Sequence, residues 1–382
     1  MRAFFRIITK FFREADIFLL ALSLISSIYG IILIASIVRN SDSGGSEVYV
    51  QLAAMIIGIV LFVIFSYVDI DIIADKYGFL LIFSALFIST LYFWGIGEEE
   101  TGNRAWLRFM GIGIQPAEVV KVTFIIIIAK LIASYKERKT LNSFGTLLRI
   151  IVVFMLIFGL LIFMSSDVGS ALIYGFIFVV MLYIGGVKLR WFVIGGGLIA
   201  AVFPLILNNF LSQGQRDRIR APFQPDLIDP TRQGVLWQTD NSIKAIMSGG
   251  PTGQGLGKGR ITQAGIIPGQ RTDFIFSAAG EELGFIGCML IIILLVLIII
   301  RCIYVGVKSN NPLGLLVCTG IAAMLIAQTL ENIGMCIGIL PVIGVTLPLF
   351  SYGGSSMVAS LAAMGIVSGI KMRPKPVRFR LV

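Results

Sequence analysis

Apolar runs of nearly equal length recur along this chain, and that recurrence fixes its fold class before any motif is read. They lie at Ile17 to Val38, Tyr49 to Val68, Gly78 to Gly95, Ala117 to Ser134, Leu147 to Met164, Val168 to Gly185, Trp191 to Phe210, Ala278 to Ile300, Leu313 to Cys336 and Tyr352 to Ile370. Each is close to the ~20 residues that a helix needs to cross a bilayer. The hydrocarbon core offers no water to an unpaired backbone group, so a spanning segment is a helix or a strand of a closed barrel. These runs are continuous and lack alternation at every second residue, which excludes the barrel. The expected fold is all-α: a polytopic membrane protein of ten transmembrane helices, forming one unit over residues 1–382. The first run is too long for a signal-peptide core and has no small-residue cleavage site after it, so it reads as a retained span.

Basic residues orient the bundle. With the N-terminus inside, the inner segments hold 18 Lys or Arg, while the short outer loops hold three, Arg39, Arg104 and Arg108. Both termini are therefore expected in the cytoplasm. The long connection between helices 7 and 8, residues 209–277, falls outside and is expected to be structured. It carries eight basic residues and five aspartates, with prolines and a glycine cluster at Gly249 to Gly259. A second outer segment, Gly97 to Gln115, holds the acidic triplet Glu98, Glu99 and Glu100. The apolar stretch Gly334 to Gly354 is broken by Pro341, Pro348 and several glycines, as irregular backbone at membrane depth would be where protein buries it. No internal repeat marks the inverted halves of a transporter.

Composition removes several chemistries. The chain has no histidine, hence no histidine triad and none of the commonest metal ligand. Its four cysteines, Cys288, Cys302, Cys318 and Cys336, show no CxxC spacing and read as free thiols. The formal charge of +10 is accounted for by the inner flanks, so nucleic acid is not an expected partner.

What remains are carboxylates and cations beside the membrane. Glu118 and Lys121 sit three apart on one face of the fourth span, as an ion pair that fixes register or as the charged wall of a substrate site. Asp167 stands where it would cap the sixth helix. Glu281 and Glu282 begin the eighth, where acids meet the positive end of the helix dipole. Asp273 is an isolated acid among bases. It reads as a cap for helix 8 or as a general base whose neighbouring cations favour its ionised form.

These residues lie in blocks that resemble the SEDS family (shape, elongation, division and sporulation), the RodA/FtsW/SpoVE group. The blocks are GNRAWLRFMGIGIQPAEVVK (Gly102 to Lys121), SSDVGSA (Ser165 to Ala171), RDRIRAPFQPDLIDP (Arg216 to Pro230), SGGPTGQGLGKG (Ser248 to Gly259), TDFIFSAAGEELGFIG (Thr272 to Gly287) and ENIGMCIGILPVIGVTLPLFSYGGSS (Glu331 to Ser356). The glycine block leans toward the rod-shape, RodA-like type.

The resemblance implies a peptidoglycan glycosyltransferase that polymerises lipid II at the outer face of the cytoplasmic membrane. Asp273 would be the general base toward the acceptor sugar's 4-hydroxyl, with inversion and loss of undecaprenyl pyrophosphate. Glu118, Lys121 and Asp167 match the family's substrate-site acids and base. Arg104, Arg216, Arg218 and Arg220 are candidates to neutralise pyrophosphate, because guanidinium grips phosphate oxygens in pairs. A divalent cation, Mg or Mn, would share that duty, and no organic cofactor is implied. The implied partners are a class B penicillin-binding protein, other proteins of the cell-wall complex and membrane lipids. The chain departs from the family where a glutamate commonly stands four residues before the aspartate; here that position is Gly269. A lipid-linked precursor flippase and a non-catalytic scaffold are the competing readings.

Overall fold

In the computed structural model, residues 11–40, 45–97, 103–109, 112–209 and 213–373 are described. The triplet Glu98 to Glu100 and the extreme termini lie outside them. Helices stand at all ten expected positions: α1 (Ile17–Ile37), α2 (Ser46–Tyr67), α3 (Tyr77–Trp94), α4 (Pro116–Glu137), α5 (Phe144–Ser165), α6 (Val168–Gly185), α7 (Leu189–Asn209), α8 (Ile275–Lys308), α9 (Pro312–Cys336) and α10 (Gly354–Met372). Eight are long and apolar enough to cross a membrane. The other two are α4, which carries several charges, and α7, whose apolar stretch Leu189–Val202 is shorter. The protein is an all-α polytopic membrane protein.

Helix starts follow local chemistry. Side chains of Asp16, Ser143, Asp167 and Asn311 accept backbone N–H groups at the heads of α1, α5, α6 and α9. Each satisfies a donor that the helix itself leaves open. Pro116 and Pro312 occupy first turns, where a missing N–H costs nothing.

The bundle has an enclosed interior and a lipid-facing rim. The apolar window of α10 is 83% buried and that of α9 72%, against 17% for α3 and 22% for α2, so α9 and α10 form the centre. α10 lies along α2 with glycines at the contact: a Cβ on Gly365 would meet the Phe62 backbone at 2.6 Å, and one on Gly369 the Phe65 carbonyl at 2.7 Å. Small residues four apart let two helices approach closely in lipid, where dispersion contacts replace the hydrophobic drive. The described side chains of α7 are largely exposed, Leu189, Val193 and Ile199 among them.

Three features depart from plain helices. A two-stranded antiparallel hairpin, β1 (Leu107–Phe109) with β2 (Ile112–Ile114), precedes α4. Residues 338–353 run without helix while burying Val345, Leu347, Leu349 and Phe350, as the broken pattern predicts. The third is a break in α8 at Gly284 (φ 67°). The glycine-rich segment enters that break: Phe285 N donates to Gly250 O at 2.9 Å, Ile286 N to Pro251 O at 3.1 Å, and Gln254 N and Gly255 N reach back to the carbonyls of Glu281 and Glu282. The positive φ and the tight approach of Gly253 leave no room for a side chain at residue 284.

The break corrects the dipole account of Glu281 and Glu282. Both are fully buried and grip the connecting segment. Glu281 accepts from Ile261 N and Thr262 N at 2.8 Å and from the Thr262 hydroxyl at 2.7 Å. Glu282 accepts from Gln263 at 2.8 Å and pairs with the Ser36 hydroxyl. They are struts, held by neutral donors. Between α7 and α8 the chain forms short helices at Gln213–Arg220, Pro225–Ile228, Trp237–Gly249 and Arg260–Gln263.

Candidate active site

The heads of α4, α6 and α8 lie at one end of the bundle. Three of the acids singled out in the sequence come with them: Glu118, Asp167 and Asp273.

Gly269 builds the turn that presents Asp273. Its carbonyl accepts the N–H groups of Thr272 (3.0 Å), Asp273 (2.9 Å) and Phe274 (3.1 Å), and the Thr272 hydroxyl (3.1 Å). Its φ is +72°, a conformation that side chains rarely adopt. At the position where the resemblance led one to expect a glutamate, the turn is made by the Gly269 backbone. The capping alternative does not hold: the residue that precedes α8 is Phe274, and among the described residues no side chain caps that helix. Asp273 is free of the structural duty that its position in the sequence offered it.

Its electrostatics also differ from expectation. Arg271, the base nearest in sequence, turns away to pair with Glu47 at 2.5 Å. Burial dominates instead and pushes the Asp273 carboxyl from 3.8 to about 6, with the Asp167 charge adding to the rise and the Thr272 hydroxyl opposing it. The lone acid is therefore more basic than an ordinary aspartate, as a proton acceptor should be. The expected stabilisation by nearby bases fails because proximity in sequence did not become proximity in space.

The segment Ile343 to Gly344 lies between Asp273 and the head of α6. A Cβ on Gly344 would lie 3.4 Å from Asp273 Oδ2, and one on Gly169 would meet Ile343 O at 2.6 Å. Asp167 caps α6 as its sequence position predicts: Oδ1 accepts Ser170 N at 2.9 Å, while Oδ2 takes the Ser170 hydroxyl at 2.7 Å and Gln115 Nε2 at 3.3 Å. The cap and a place beside Asp273 are compatible.

Glu118 and Lys121 form a 2.6 Å ion pair with side chains 7% and 1% accessible. Beside it, the buried Tyr174 hydroxyl donates to Ala117 O at 2.7 Å. The pair is sealed in the wall of the site and does not present its charge at a surface. Arg104 is joined to α5 through its backbone, N to Ser165 O at 2.9 Å. Arg216, Arg218 and Arg220 lie on the Gln213–Arg220 helix, which is partly to fully exposed and follows α7; it packs chiefly on the short helix after it. The structure gathers Glu118, Lys121, Asp167 and Asp273 at one end, and leaves these three arginines on a separate arm of the connection between α7 and α8.

Among the described residues no group of three or more Asp, Glu, Cys or His is placed to hold an ion. Sequence reasoning missed Asn332 and Ser351, which bond to the backbone around Asp273. A signal existed, since Gln328 and Asn332 are polar residues inside an apolar span and such residues carry function by default.

Comparison with known proteins agrees with the fold and the motifs. The profile of the family described as "Cell cycle protein", covering FtsW, RodA and SpoVE, matches residues 16–375. A probable peptidoglycan glycosyltransferase FtsW of Trichlorobacter lovleyi is 32% identical over 379 residues, covering 96% of this chain and 97% of its own. One of the same description from Bacillus subtilis is 34% identical, covering 90% and 86%. Among solved structures, a chain from work on the coordination of polymerisation and crosslinking by a peptidoglycan synthase complex superposes with a TM-score of 0.78 at 25% identity, covering 94% of this chain and 97% of that one. The sequence blocks, the helical bundle and these matches agree: the chain belongs to the FtsW/RodA/SpoVE cell cycle protein family, the SEDS proteins.

Proposed function

We propose that the chain is a peptidoglycan glycosyltransferase of the cytoplasmic membrane and that Asp273 is its general base. The names of its relatives support the activity. The observation that carries the assignment of the base is the Asp273 carboxyl itself: half-buried, free of capping, and raised to about 6. In the proposed step Asp273 takes the proton of the acceptor sugar's 4-hydroxyl. The oxygen attacks the donor's anomeric carbon with inversion, the bond to pyrophosphate breaks, and undecaprenyl pyrophosphate leaves with the electron pair. Lipid II is the donor, and the reaction occurs at the outer face, with both termini in the cytoplasm.

Glu118, Lys121 and Asp167 shape the wall beside the base. Arg104 is a proposed cation for the pyrophosphate, as are Arg216, Arg218 and Arg220 from their separate arm, and a divalent cation that travels with it would add to that neutralisation. A class B penicillin-binding protein is the proposed partner, supported by the structural likeness to a complex that couples polymerisation with crosslinking. The glycine block leans toward the rod-shape type, whereas both relatives above carry the FtsW name.

A flippase would need polar groups at mid-membrane and at both faces along one path. The buried acids of the site gather at one end, and the buried acid at the other, Asp16, is neutralised by Arg301 and Lys371. The test is polymerisation of lipid II by the purified chain, with and without a class B partner and with chelator as a control. Glycan formed at equal rates by wild type and Asp273→Asn would sink the assignment. Unchanged lipid II affinity after neutralising Arg216, Arg218 and Arg220 together would remove the pyrophosphate role.

A further inference from the structure

Three consecutive carbonyl groups lead to the side chain of Asp273, and each is held from the stretch between residues 332 and 352. Tyr352 N donates to Arg271 O at 2.8 Å. The Ser351 hydroxyl donates to Thr272 O. The Asn332 carboxamide donates to Asp273 O at 2.7 Å, and the Cys336 thiol points at the same oxygen from 3.7 Å.

Asn332 does more than close this set. Its second N–H goes to Val345 O at 2.8 Å. Val345 follows Gly344, the residue that faces the Asp273 carboxylate. One wholly buried amide therefore joins the backbone of the acid to the backbone of the segment opposite it. Its own oxygen is buried without a partner among the described residues. An unpaired buried carbonyl is costly, so a residue kept only for packing would be better served by leucine.

We infer that Asn332 is a positioning residue for the proposed reaction: its carboxamide fixes the Asp273 backbone against Val345, and so sets where the carboxylate stands relative to Gly344 and the head of α6. This rests on Asp273 being the base. Proton abstraction needs the acceptor atom at hydrogen-bond reach of the sugar hydroxyl, and a misplacement of ~1 Å can cost ~100-fold in rate. The backbone carbonyl of Asp273 lies only a few bonds from that atom, so its tether acts directly on the geometry.

The experiment uses the full chain with its class B partner and lipid II, and compares Asn332→Leu with wild type. The leucine keeps the volume and removes both donors. The expected result is a kcat lower by ~10- to 100-fold with KM within about twofold. The acid limb of the kcat profile should move to lower pH as the released carboxyl meets water. The titratable groups facing Asp273 from its neighbours, Asp167 at the head of α6 and Cys336 on α9, are unchanged by the substitution, and Arg271 stays paired with Glu47. Wild-type kcat with an unmoved limb in a folded variant overturns the inference, as does a loss confined to KM. Should Asn332→Leu fail to fold, Ser351→Ala releases the adjacent carbonyl and should lower kcat by a smaller factor at constant KM; wild-type kcat in that variant overturns the inference equally. Full activity of Asp273→Asn removes the base and this inference together. An essential Asp273 with an indifferent Asn332 removes the inference alone.

Discussion

The two ends of the bundle treat an aspartate in opposite ways. Asp16, at the head of α1, is wholly buried, accepts Leu19 N, and is met by Arg301 at 2.8 Å and Lys371 at 3.7 Å. Asp273, at the head of α8, has a burial penalty, a carboxylate neighbour in Asp167 and no cation paired with it among the described residues. The first is an acid whose charge has been answered three times, which ties α1 to α8 and α10. The second has only the Thr272 hydroxyl to set against its burial. An ion-paired carboxylate is a poor proton acceptor because the cation holds its electrons; an uncompensated one is a better acceptor and a cost to stability. Burial alone therefore does not mark a reactive group. What the burial lacks does.

That contrast breaks first at Asp273 itself. Asp273→Asn should lower the rate of glycan formation by ~100- to 10,000-fold, the span that general bases contribute. Its effect on stability should have the opposite sign to that of Asp16→Asn. The folded-state pKa of Asp273 is raised from 3.8 to about 6, so its contribution to stability is fully present below 3.8 and lost as pH rises through about 6. Asparagine mimics the protonated form, and melting in detergent should find the variant more stable than wild type above about pH 6 and equal to it near about pH 3.5. Asp16→Asn should cost ~2–3 kcal/mol near neutrality, below the ~3–5 of an enclosed pair because Arg301 and Lys371 reach water. Two substitutions that shift melting in the same direction would end the comparison.

The pH dependence of the wild-type rate comes next in size. Activity should fall about tenfold per unit as pH drops below about 6, because the base is then protonated. A profile flat down to about pH 4.5 would place the acid limb on another group. Glu281→Gln should cost ~1–3 kcal/mol, since three donors lose a charged acceptor, and should expose the 249–263 segment to limited proteolysis. Gly269→Glu, which restores the family's glutamate, should be the smallest effect at ~1–2 kcal/mol, from the left-handed backbone at φ +72°. A gain in melting temperature there would show that the turn tolerates a side chain.

Much of this was legible in the residues. The apolar runs marked every long helix because span length is set by bilayer thickness and needs no tertiary information. Asp167 was readable as a cap, since capping acts within three residues. Glu281 and Glu282 were not: their partners lie about twenty residues upstream and at Ser36, and only a helix broken at Gly284 lets the connecting segment reach them. Asn332 stood out as a polar residue in an apolar span, but its role was not legible, because two carbonyl groups from distant segments define it.

The sequence by itself determined the helical class, the order of the spans, the family blocks and the acids and bases to watch, because these depend on composition and on short-range spacing. Only the tertiary structure decided which charges meet. It paired Arg271 with Glu47 and Arg301 with Asp16, sealed Lys121 against Glu118, and left Asp273 beside Asp167. Charge interactions fall off with distance in space, and distance along the chain is a poor guide to it once ten helices fold back on one another.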